Sequence, residues 1–68
     1  MTLTDFNKSY EEIIHSNISG NRKAIRLADL LTAMEHTFKI PMLRNDHWEQ
    51  QNKAIISLYR KISISRNL

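Results

Sequence analysis

Three histidines, His15, His36 and His47, are the side chains best suited to bind a metal or to move a proton near neutral pH. Their spacing works against both roles. Two metal ligands on one helix face stand three or four residues apart, and none of the three lies that far from another histidine. The chain has no cysteine, which removes thiolate ligands, a thiol nucleophile and any disulfide together. Glu11 and Glu12 are adjacent, so on a helix they point about 100° apart and cannot share one acid–base site. Glu35 and His36 are separated in the same way. Gly20 is the only glycine, which excludes a glycine-rich phosphate loop and a Gly-x-Ser-x-Gly nucleophile elbow. The expectation is a protein that is not an enzyme and takes no metal or cofactor.

A second constellation is polar. From Arg44 to Lys53 the chain reads Arg-Asn-Asp-His-Trp-Glu-Gln-Gln-Asn-Lys, and Arg44, Gln50, Gln51 and Lys53 can hydrogen-bond base edges or phosphates. Two features weigh against nucleic acid. The stretch between Phe38 and Asp46 exceeds the three-to-four-residue turn of a helix-turn-helix, and Asp46 and Glu49 would face phosphates. Net charge is +3, spread as −2 over residues 1–21, +3 over 22–44 and +2 over 45–68. That balance lacks the clustered stripe of a dedicated DNA binder.

The elements that position these groups follow from composition and periodicity. With 41% hydrophobic and 25% charged residues the chain has the make-up of a folded domain. One glycine and one proline in 68 residues favour a few long helices over a turn-rich β-fold. Two breaks divide the chain. One runs from Asn17 to Asn21, where Gly20 can adopt a left-handed conformation, and the other from Lys39 to Asn45 around Ile40-Pro41.

Before the first break, Leu3, Phe6, Tyr10, Ile13 and Ile14 recur at helical steps, with Thr4 as N-cap. Between the breaks, Ala24, Leu27, Ala28, Leu31, Met34 and Phe38 form one stripe, with Asn21 as cap. After the second, Asp46 with Glu49 matches a capping box, and Trp48, Ile55, Leu58, Tyr59 and Ile62 supply the apolar face. Helices are therefore expected over about 4–16, 22–38 and 46–65. They should form an all-α, small three-helix bundle in one domain, residues 1–68. The alternative is a helical hairpin completed by homodimerisation.

Four large residues fall off these stripes: Ile25, Leu30, Ile56 and Ile64. On the third segment Lys53, Ile56, Arg60 and Ile64 follow one another at steps of three and four, a mixed basic and apolar strip suited to gripping a protein. Arg22, Lys23 and Arg26 oppose the helix dipole at the start of the second segment, and they read as a solvated face or, alternatively, as contacts to an acidic partner surface or phosphate. The expected function is that of a small regulatory or adaptor protein, or an inhibitor, that binds a protein partner through Lys53, Ile56, Arg60, Ile64, Ile25 and Leu30. The alternatives are nucleic-acid binding through Arg44, Gln50, Gln51 and Lys53, and a homodimeric structural role. The N-terminal residues lack the basic and apolar regions of an export signal, and no apolar run nears the ~20 residues that span a bilayer. The expected location is cytoplasmic, with no membrane partner.

Overall fold

The computed structural model describes residues 1–66. Among them the chain forms helices α1 (Leu3–Ile14), α2 (Gly20–Phe38), α3 (Asp46–Gln51) and α4 (Lys53–Arg66), with no strand. It is a small all-α bundle, as the periodicity predicts, but the third expected helix is two.

The first three helices start where a side chain satisfies an orphan backbone donor, and at each the cap lies earlier than the periodicity places it. At α1 the cap is Thr2, not Thr4: its Oγ1 accepts from the Asp5 N–H at 3.2 Å, and the Thr2 N–H donates to the Asp5 carboxylate at 2.9 Å. The Thr2 backbone N–H, donating to the carboxylate, is the first cause that holds the Asp5 carboxyl below its ordinary range. At α2 the cap is Ser19, not Asn21, with Ser19 Oγ accepting from the Arg22 N–H at 3.3 Å. Gly20 is thereby the first helical residue and has no positive φ. The left-handed position is Lys39, which ends α2 at φ 56° and ψ 45° just ahead of Ile40-Pro41. At α3 the cap is Asn45, whose Oδ1 accepts from the Trp48 N–H at 3.0 Å. The expected Asp46–Glu49 capping box is absent. Asn45 Oδ1 takes the Trp48 N–H instead, the Glu49 N–H donates to the Asn45 carbonyl at 3.0 Å, and both acids pair with arginines.

Asn52 separates α3 from α4. Its backbone leaves the helical region at φ −131° and ψ 43°, and its Nδ2 donates to the Trp48 carbonyl at 2.8 Å. A short polar side chain that bonds nearby backbone competes with continued helix, and here it folds six residues back against α4.

The packing makes α2 the central helix, antiparallel to both α1 and α4. Near one end of the α1–α2 pair the Phe6 and Phe38 rings lie 5.4 Å apart, tilted by 57°. Near the other, Lys23 Nζ donates to the Ile14 carbonyl at 2.9 Å and so satisfies an end group of α1. α1 and α4 run the same way: Leu3 and Asn7 lie beside Ala54 and Leu58, and further along both helices the Tyr10 hydroxyl pairs with Ser65 Oγ at 2.8 Å and Lys61 lies over the Tyr10 ring, 5.1 Å from its centroid.

The core is Phe6, Tyr10, Leu27, Leu30, Leu31, Met34, Leu58 and Ile62. Leu30 corrects an expectation, because it is buried and unable to meet a partner. Including Ala28 had displaced the centre of the stripe. At 100° per residue Leu27, Leu30, Leu31 and Met34 alone span an arc of about 100°, with Leu30 at one edge. Ile25 lies on the opposite side of α2 and is exposed.

Candidate docking surface

Three parts of the chain build this surface. Pro41 cannot continue α2 and the left-handed Lys39 turns the chain, so residues 40–45 cross the end of the bundle as a loop. α3 then folds back beside the first half of α4. On α4, Lys53, Ile56, Arg60 and Ile64 lie within an arc of about 80°, on the side away from Leu58 and Ile62.

Two adjoining hollows result. The larger, about 480 Å³, is lined by Arg44, Asp46, Glu49, Gln50, Lys53, Ile56, Ser57 and Arg60. The smaller, about 210 Å³, shares Arg44, Glu49, Ile56 and Arg60 and adds the loop from Ile40 to Asn45 with Trp48 and Tyr59. The loop carries the most exposed apolar side chains of this corner, Met42 at 102% and Leu43 at 85%. Beside them Ile40, Pro41, Trp48, Ile56 and Tyr59 are half-buried. An apolar group of this size at a rim of charges is the usual make-up of an interaction site and not that of isolated surface isoleucines.

Both signs of charge are present. Arg44 Nε donates to Asp46 Oδ1 at 3.0 Å, and Arg60 Nη2 donates to Glu49 Oε1. The Arg44 guanidinium is held above its ordinary value, first by the Asp46 hydrogen bond and then by the charges of Asp46 and Glu49. Lys53 has no ion-pair partner among the described residues. Tyr59, at the inner edge, donates its hydroxyl to Glu35 of α2.

Five residues singled out in the sequence, Arg44, Gln50, Lys53, Ile56 and Arg60, therefore meet around one hollow. Ile56 and Arg60 belong to the protein-binding strip, Arg44 and Gln50 to the nucleic-acid-binding set, and Lys53 to both. Gln51 is exposed but does not line it, while Ile25 and Ile64 are exposed away from it. Leu30 belongs to the core. Met42 and Leu43 belong to neither set, because they sit in the break between two helices, where helical periodicity carries no information. The signal was there, since Ile40-Pro41-Met42-Leu43 is apolar where a connection between helices is ordinarily polar.

Among the described residues no group of three or more histidine, aspartate or glutamate side chains is placed to hold a metal ion. His15 is exposed and pairs with Glu11 one turn earlier at 3.2 Å. No helix among the described residues is long and apolar enough to cross a membrane. No protein-family model, curated protein sequence or solved structure matches the chain.

Proposed function

We propose that this chain is a non-catalytic regulatory or adaptor module that docks another protein at the corner made by residues 40–45, α3 and the first half of α4. The observation that carries this reading is the near-complete exposure of Met42 and Leu43 beside half-buried Trp48, Ile56 and Tyr59. Water around such a group is released when a partner covers it, at about 25 cal/mol per Å² of apolar surface. The rim of Arg44, Lys53, Arg60, Asp46 and Glu49 supplies the charges that set register and orientation.

A photo-reactive residue in place of Leu43, with one in place of Ile25 as control, tests the assignment in native-cell extract. One defined cross-linked protein is expected from position 43 and none from position 25. The Ile56→Asp, Arg60→Glu double variant should lose that product while keeping its helical circular-dichroism spectrum. Equal products from both positions, or an undiminished product in the double variant, would refute the surface.

Nucleic-acid binding is the second reading, because Arg44, Gln50 and Lys53 share one hollow. Two acids share it too, and α3 has only six residues to lay along a groove. Binding to duplex or single-stranded DNA or RNA that falls steeply as salt rises would favour it over protein docking.

A further inference from the structure

At the opposite end of the bundle, the last turn of α1, the first two turns of α2 and the last turn of α4 enclose a hollow of about 370 Å³. Its origin is legible in the residues. Gly20, Ala24 and Ser65 are small where larger side chains would close the end of the bundle, and a Cβ at Gly20 would meet nothing within 4 Å. The walls are mostly apolar, from Ile14, Ala24, Leu27 and the Tyr10 ring. The two hydroxyls at its edge, Tyr10 and Ser65, satisfy each other at 2.8 Å.

The charged groups distinguish this hollow from the docking corner. Lys23 and Arg66 line it, and among the described residues no carboxylate does. Lys23 gives one N–H to the Ile14 carbonyl, which leaves two of its three donors for another acceptor. Arg66 is exposed and enters no ion pair among the described residues. A small-molecule site is typically a concave space of about 300–1,000 Å³ with apolar walls and a few polar groups that fix orientation, and this hollow has both features. Two cations, with no carboxylate lining the hollow among the described residues, select an anionic head, and the apolar walls select an aliphatic body.

We propose that this end of the bundle binds a small amphipathic anion: a single medium-length aliphatic chain with a carboxylate or phosphate-monoester head. The chain lies against Ile14, Ala24 and Leu27, and the head meets Lys23 and Arg66. The site is distinct from the docking corner and does not depend on it.

Isothermal titration of the full chain with octanoate, octyl phosphate and 1-octanol tests the proposal. One site per chain is expected for at least one anion, with octanol weaker by about ten-fold, the difference that charge-assisted hydrogen bonds to the head supply. Whichever anion binds more tightly identifies the head group. Ala24→Phe should fill the hollow and abolish binding. Arg66→Gln, on an exposed residue that leaves the fold intact, should weaken the anions and leave octanol unchanged. Octanol binding as tightly as the anions, affinity for the anions unaltered by Arg66→Gln, or no heat from any probe at millimolar concentration would each overturn the assignment.

Discussion

The Tyr59 hydroxyl donates to the Glu35 carboxylate across the interface between α4 and α2. Partial burial first, and then this hydrogen bond, push the phenol from its ordinary value of 10 up to about 12. An acid whose folded value is raised keeps its proton in the native state while the unfolded chain loses it. The stabilisation is therefore complete below pH 10 and is lost as pH rises from 10 to 12. Urea unfolding of wild type and Tyr59→Phe should show a gap of about 0.5–1 kcal/mol at pH 7, the net value of one partly exposed hydrogen bond. That gap should narrow towards pH 11.5. A gap that stays constant from pH 9 to pH 11.5 would count against the coupling.

The left-handed conformation that the sequence allows at Gly20 falls instead at Lys39. Lys39 takes the left-handed conformation that L side chains resist, while Gly20 starts α2 without needing its freedom. Lys39→Gly should accordingly stabilise the chain by about 0.5–1 kcal/mol, the left-handed penalty less the extra entropy of unfolded glycine. Gly20→Ala should add about 0.5 kcal/mol, since the new Cβ meets no atom and the unfolded chain loses freedom. Thermal melts of the two variants and their combination should show additive increases, because the sites lie at opposite ends of α2.

How far the fold could be read in advance follows from such residues. Apolar steps of three and four revealed α1 and α2, because a helix that buries one face must repeat at that period. The side-chain hydrogen bonds that decide boundaries are less legible, since Thr2 competes with Thr4, Ser19 with Asn21 and Asn45 with Asp46 by the same chemistry. Asn52 was invisible for a related reason. The apolar period of Trp48, Ile55, Leu58 and Ile62 runs through it, and only its bond to the Trp48 carbonyl shows that the helix breaks. That break sets α3 beside α4 and so brings Gln50 to Lys53, Ile56 and Arg60, joining around their shared Lys53 two residue sets that stand apart in the sequence.

Met34 and Ile64 are both large apolar residues on helices, yet they should respond oppositely to truncation. Met34 is fully buried, whereas Ile64 is 64% exposed. Met34→Ala should cost about 2–5 kcal/mol through lost contacts and the cavity left behind. For a chain of this length the total stability is about 3–10 kcal/mol, so that loss is a large share of it. Ile64→Ala should stay within about 0.5 kcal/mol of wild type. Chemical denaturation monitored by circular dichroism checks both, and equal losses would mean that the core is not centred on Met34.

Glu49 and Arg60 stand eleven residues apart, which on an uninterrupted helix is about 16 Å of rise, well beyond a single ion pair. Their contact therefore measures the fold-back of α3 at Asn52. Glu49 keeps only 16% of its side chain exposed while Arg60 keeps 54%, so screening by water is partial. A double-mutant cycle of Glu49→Gln and Arg60→Gln should return a coupling of about 0.5–1 kcal/mol, at the upper end for surface pairs. Trp48 is the only tryptophan and lines the same corner, so it reports this opening directly. Loss of either partner should shift its fluorescence to longer wavelength and speed amide exchange in residues 46–52, with little change at the centre of α4. If neither observable moves, the pair does not hold α3 in place, and Asn52 with the packing of Trp48 suffices to do so.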